Sequence, residues 1–126
     1  MGLDLYENYN ESKIYFKKAN EVLNFNITEL MFEGSSEDLI KTSVTQPAIF
    51  IHSVVHSLIS KNFNPQASAG HSLGEFSALS ACKAISFEDG LKLVSIRANA
   101  MQTACEKNPG SMAAILGIDD SIIENV

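Results

Sequence analysis

The stretch QASAGHSLGEFSALSACKA, Gln66–Ala84, constrains this chain more than any other. It reads as a short extended run of small residues that turns sharply into a helix from about Ser72 to Lys83. Gly70-His71-Ser72-Leu73-Gly74 fits the G-x-S-x-G pattern of a nucleophile elbow. Glycine on each side relieves clashes where the backbone doubles back. Such a turn lifts the serine Oγ out of the sheet edge, and the N–H groups that open the helix point at the same spot. The Leu73 N–H is the first donor for a developing oxyanion. A plain tight turn uses the same residue types, so the pentapeptide does not decide the chemistry alone.

The flanking segments set the fold class. Leu5, Ile14, Phe16, Ala19 and Leu23, spaced among charges, predict one or two surface helices. ITELMFEG predicts a short helix stopped by Gly34, and SSEDLIKT a further turn opened by a serine cap. TQPAIFIHSVVHSLISKN carries Pro47 near its start and Ile51, Val54, Val55 and Leu58 at helical spacing, which predicts a buried helix. SFEDGLKLVSIRANAMQTACEKN predicts a long helix capped by Ser86, with Glu88 completing a capping box and NPG ending it. SMAAILGI is strand-like, and DDSIIENV reads as the first turn of another helix. The expected class is α/β, with a partial core over residues 1–110 and the start of a second, smaller unit over 111–126.

Composition removes several functions. The 126 residues are 45% hydrophobic and 19% charged, which suits a single globular domain. A net charge of −6 and scattered basic residues argue against nonspecific nucleic-acid binding. No run is apolar enough to span a membrane, the N-terminus has no signal-peptide core, and Tyr6 breaks the myristoylation pattern. Cys82 and Cys105 are too few and too far apart for a disulfide framework, and are expected as small core residues in a reducing cytoplasm. His52 and His56 share a helix face at i, i+4 spacing, but no third ligand is evident and Ser53 stands where a zinc protease has Glu. No metal site is expected. His71 adjoins Ser72 and is expected to support the turn, so none of the three histidines is a convincing base.

Arg97 is the second charged feature. Leu91, Val94, Ala98, Met101 and Cys105 form an apolar stripe on the long helix, and Arg97 borders it. A guanidinium there needs a partner, and its planar fork matches a carboxylate; the plainer alternative is a packed stem with its head in water.

With these residues placed, the sequence resembles malonyl-CoA:acyl carrier protein transacylases, and is similar to polyketide synthase acyltransferase domains. TSVTQPAIF, AGHSLGEFSAL, FEDGLKLVSIRANAMQ and GSMAAILGI occur in family order between Thr42 and Ile118. The resemblance implies part of a hydrolase-like parallel-sheet core, ending at the first strand of a small ferredoxin-like subdomain. It implies that Ser72 takes malonyl from coenzyme A and passes it to the phosphopantetheine thiol of acyl carrier protein, with no cofactor of the protein's own. By the same resemblance Leu73 gives an oxyanion N–H and Arg97 grips the malonyl carboxylate. His71, Met101 and Gln46 are implied substrate-site residues, with Gln46 opening the helix behind the elbow. Leu73 fits the malonyl-type elbow, where methylmalonyl-using relatives often carry Gln, and Ala98 replaces a frequent Gly. The expected location is cytoplasmic, or an organellar stroma or matrix if a targeting segment lies upstream.

Two parts of the family pattern are not found in these residues: a Gly-Gln-Gly-Ser-Gln loop and a later catalytic histidine. The expectation is therefore a truncated chain or one piece of a split gene, close to inactive by itself and exposing apolar faces such as Ile51, Val55 and Leu58. The alternatives are a serine esterase or thioesterase, against which Arg97 argues, and a non-catalytic remnant that binds carrier protein, an acidic partner that would need a basic patch such as Lys61 or Lys83.

Overall fold

The computed structural model describes residues 1–110 and 115–125. Among them are eight helices: α1 Leu3–Asn8, α2 Ser12–Leu23, α3 Ile27–Glu33, α4 Ser36–Ile40, α5 Thr42–Ile59, α6 Leu73–Ala81, α7 Phe87–Lys107 and α8 Asp120–Ile123. No strand occurs among the described residues. The short extended run expected before the elbow, Asn64–Gly70, is non-helical and exposed, with a bend at Gln66. A β-ladder exists only between two strands, and the described residues bring no second one alongside. The strand expected in SMAAILGI begins at residues 111–114, which lie outside the described residues.

The chain is organised around α5. Val44, Ala48, Phe50, Ile51, Val54 and Val55 are all buried, which is too many for a single apolar stripe. The helix is covered from several sides, by α7 and α6 and by α2, α3 and α4. This corrects the expectation for its apolar face: Ile51 and Val55 are fully buried and Leu58 packs against the core. The exposed large apolar side chains include Ile49 on α5, Leu79 on α6, and Leu93 and Ile96 on α7. Aromatic contacts extend the core outward. Phe16 meets Tyr6 and Phe32 edge-on at 5.7 and 5.3 Å, and Phe50 stacks on Phe87 at 5.8 Å. Pro47 sits inside α5 rather than at its first position, one turn and a half from Thr42. Lys18 of α2 pairs with Glu88 of α7. The hydrogen bond from Lys18 holds the Glu88 carboxyl below its usual range, so the link is complete at neutral pH and is lost as acid protonates Glu88.

Helix ends follow local rules, with corrections. Ser35 caps α4 in a full capping box with Asp38. Ser86 caps α7 by accepting from the Asp89 N–H, and its hydroxyl bonds the Asp89 carboxylate at 2.7 Å. Asp89, not Glu88, occupies the third helical position and takes the partner's role. Gly34 ends α3 in an extended conformation, not a left-handed one. Its lack of a side chain is used differently, since a Cβ there would lie 2.3 Å from the Leu30 carbonyl oxygen. The helix after the elbow stops at Ala81, short of Lys83, because Lys83 turns left-handed at φ 63°. Ala84 N–H reaches back to the Leu79 oxygen at 2.9 Å and Lys83 N–H to Ser80 at 3.1 Å, a Schellman closure.

Both cysteines are exposed, against expectation. Cys82 falls in the closing turn of α6, and Cys105 lies in the last turns of α7, beyond its buried stretch Phe87–Ala98.

Close helix packing at Gly90 gives a direct test. A Cβ there would sit 2.5 Å from Ser80 Oγ and 2.7 Å from Phe50 Cζ. The serine can rotate away, but the buried Phe50 ring is held against Phe87. Gly90→Ala is expected to destabilise the chain by about 1–3 kcal/mol, read as a lower urea midpoint at unchanged slope.

Candidate functional site

The elbow is built by a tight turn that precedes α6. Ser72 has φ 55° and ψ −114°, the left-handed geometry of the first central position in a type II′ turn. Gly74 N–H closes that turn onto the His71 oxygen at 2.9 Å. A non-glycine residue held in this region is strained, and such strain gathers at functional positions. The two flanking glycines play different parts. A Cβ on Gly70 would lie 1.9 Å from the Gly74 carbonyl, so the incoming chain presses directly on the first turn of α6. A Cβ on Gly74 would meet nothing within 4 Å, so the expected close approach applies to Gly70 alone.

Three elements bring their side chains together here. Arg97, half-buried on α7, donates from Nη2 to Ser72 Oγ at 2.7 Å. From Nη1 it donates to Gln46 Oε1, on the second turn of α5. The guanidinium therefore does not simply reach water, the plainer reading of its sequence position. Its place follows from packing: Val94 and Ala98, on either side of it along α7, are buried, which fixes the register of the helix over α5 and α6. Gln46 and Arg97 are 51 residues apart, and Ser72 and Arg97 are 25 apart.

The other expected site residues are placed as follows. Leu73 is the first residue of α6 and its side chain is buried, while its backbone N–H belongs to the helix opening that no intrahelical bond uses. His71 is exposed at the start of the turn. Met101 is half-buried one turn beyond Arg97 on α7. His52 and His56 stack on the flank of α5 with ring centroids 6.4 Å apart. Among the described residues no three His, Cys, Asp or Glu side chains group as a metal set would, and no helix is long and apolar enough to cross a membrane.

Ser72 thus stands on a strained turn, at the mouth of α6 and under the Arg97 guanidinium. The chain belongs to the acyl transferase domain family, whose pattern matches residues 1–123. A malonyl CoA-acyl carrier protein transacylase of Staphylococcus aureus (strain MRSA252) is 40% identical over 126 residues, covering all of this chain and 41% of that protein. The solved malonyl CoA-acyl carrier protein transacylase of Coxiella burnetii superposes with a TM-score of 0.83 at 32% identity, over 99% of this chain and 40% of that one. A malonyl-transacylase solved in complex with its type II PKS acyl-carrier protein gives a TM-score of 0.76 at 36% identity, over 82% of this chain and 35% of that one. The chain thus spans about two-fifths of the length of the curated relatives it matches.

Proposed function

We propose that this chain carries the nucleophile and the carboxylate-recognising arginine of a malonyl-CoA:acyl carrier protein transacylase. The observation that carries the reading is the Arg97 guanidinium placed on Ser72 Oγ. Malonyl is a three-carbon acyl group with a carboxylate at its far end. Once it is esterified to Ser72, that carboxylate lies within a few bonds of Oγ and meets a donor fork already beside it. Hydrolysis of a neutral ester gives such a cation nothing to bind, which disfavours the esterase and thioesterase reading.

In the proposed reaction Ser72 Oγ attacks the thioester carbonyl of malonyl-CoA, and the Leu73 N–H stabilises the oxyanion. Coenzyme A leaves as the thiol, and the phosphopantetheine thiol of acyl carrier protein then takes malonyl from Ser72. Gln46 keeps Arg97 aimed, while Met101 and His71 border the acyl group. The fold belongs with the solved transacylases; the finer proposal is that Asn64–Gly70 is a strand of a hydrolase-like parallel sheet and that residues 111–126 open a small ferredoxin-like subdomain. The cytoplasm is the proposed location.

Incubation of a form of the protein as long as its curated relatives with labelled malonyl-CoA tests the reading by peptide mapping. Label is expected within Ala69–Glu75 and absent from Ser72→Ala. Label elsewhere would remove Ser72 from the role.

A further inference from the structure

We propose that Arg97 is a latch on the nucleophile, opened by the carboxylate of the incoming acyl group. The inference rests on the malonyl reading above and adds a control step to it. In the resting chain Nη2 donates to Ser72 Oγ at 2.7 Å, and Nη1 is tethered to the neutral Gln46 amide oxygen. The donated hydrogen bond engages a lone pair of Oγ, the atom that has to attack. A lone pair committed to a cation is a weaker nucleophile than a free one.

Both resting acceptors on Arg97 are neutral oxygens. A carboxylate forms shorter and stronger bonds to a guanidinium than a hydroxyl does, so a carboxylate arriving at this exposed turn takes over the Nη2 donor and frees Oγ. The Gln46 tether makes the exchange local: one arm stays fixed while the other changes partner. An acetyl group has no second anion and leaves the latch closed. Selection then acts on the reactivity of Ser72 as well as on the holding of the bound acyl group.

Two measurements on a form of the protein as long as its curated relatives test this. The first is the rate at which phenylmethylsulfonyl fluoride, which is small and uncharged, modifies Ser72, followed by intact mass with and without malonate at constant ionic strength. Malonate is expected to accelerate labelling saturably by about tenfold, the scale of one hydrogen bond to a charged group. Arg97→Ala is expected to label at the fast rate without malonate and to ignore its addition. The second is malonate affinity, read from the Arg97 Nε–H resonance. Ser72→Ala should bind malonate more tightly than the wild type, because the competing hydroxyl is gone; this arm requires no reactive serine.

Labelling that malonate slows or leaves unchanged overturns the latch, as does slower labelling of Arg97→Ala, which would make Arg97 an activator of Ser72. A wild type that resists the reagent under every condition, or a Ser72→Ala affinity no higher than wild type, counts equally against it. Malonate binding at Arg97 with unaltered Ser72 reactivity sinks the latch alone. An Arg97 resonance indifferent to malonate takes the malonyl reading down as well.

Discussion

Gly70→Ala is expected to break the elbow, whereas Gly74→Ala, four residues on, is expected to leave it intact. The first places a Cβ 1.9 Å from the Gly74 carbonyl carbon and oxygen and 2.3 Å from the Glu75 nitrogen, all backbone atoms of a helix start. Backbone cannot swing aside as a side-chain tip can, so either the incoming segment or α6 has to move by more than an ångström. A cost beyond about 3 kcal/mol follows, at the upper end of overpacking penalties. Gly74 is helical and its Cβ direction is open. Alanine there gains helix propensity, up to about 1 kcal/mol. Urea unfolding of the two variants should therefore give shifts of opposite sign. Equal shifts would mean that the turn does not press on α6 as described.

In a form of the protein as long as its curated relatives, Arg97→Ala carries the largest expected functional effect. On the proposed reading, removing the fork takes away a charge-assisted contact of about 1.5–3 kcal/mol from the malonyl half of the reaction and nothing from acetyl. Preference for malonyl-CoA over acetyl-CoA, measured as competing acylation of Ser72, should fall at least about tenfold, with acetyl transfer kept or raised. Arg97→Lys keeps the charge but loses the planar fork, and should fall between the two. Equal losses for both substrates would make Arg97 a packing residue.

How far these residues could be read in advance depended on the range of the interactions involved. Ser72 and Arg97 stand out by local signals, a glycine-flanked turn before a helix and a cation at the border of an apolar stripe, while the roles expected of them came from the family resemblance. That Arg97 touches Ser72 directly, with Gln46 on its other nitrogen, was not legible, since the contact depends on how α5 and α7 cross. Burial failed for another reason. Ile51 and Val55 were expected uncovered because their cover was assigned to family segments not found in these residues, whereas α2, α3, α4, α6 and α7 already surround α5. Cys105 continued the apolar stripe of α7 on paper, yet the helix runs on past its buried stretch. Capping was nearly right: the Ser86 cap holds, with Asp89 in place of Glu88. The strand expected before the elbow depends on a pairing partner, and the sequence of one strand does not specify another.

The backbone of Ser72 bears on why a serine stands there at all. At φ 55° and ψ −114° glycine would sit without strain, while any side chain costs about 1–3 kcal/mol. Backbone geometry alone therefore favours glycine at position 72, where a single substitution would relieve the turn. That change would also give up the hydrogen bond that Arg97 donates to Ser72 Oγ. Serine at this position works against the turn geometry, and what it brings in return is a hydroxyl that accepts from Arg97. On the proposed acyl-transfer reading, the turn is a standing conflict between stability and chemistry, resolved in favour of chemistry.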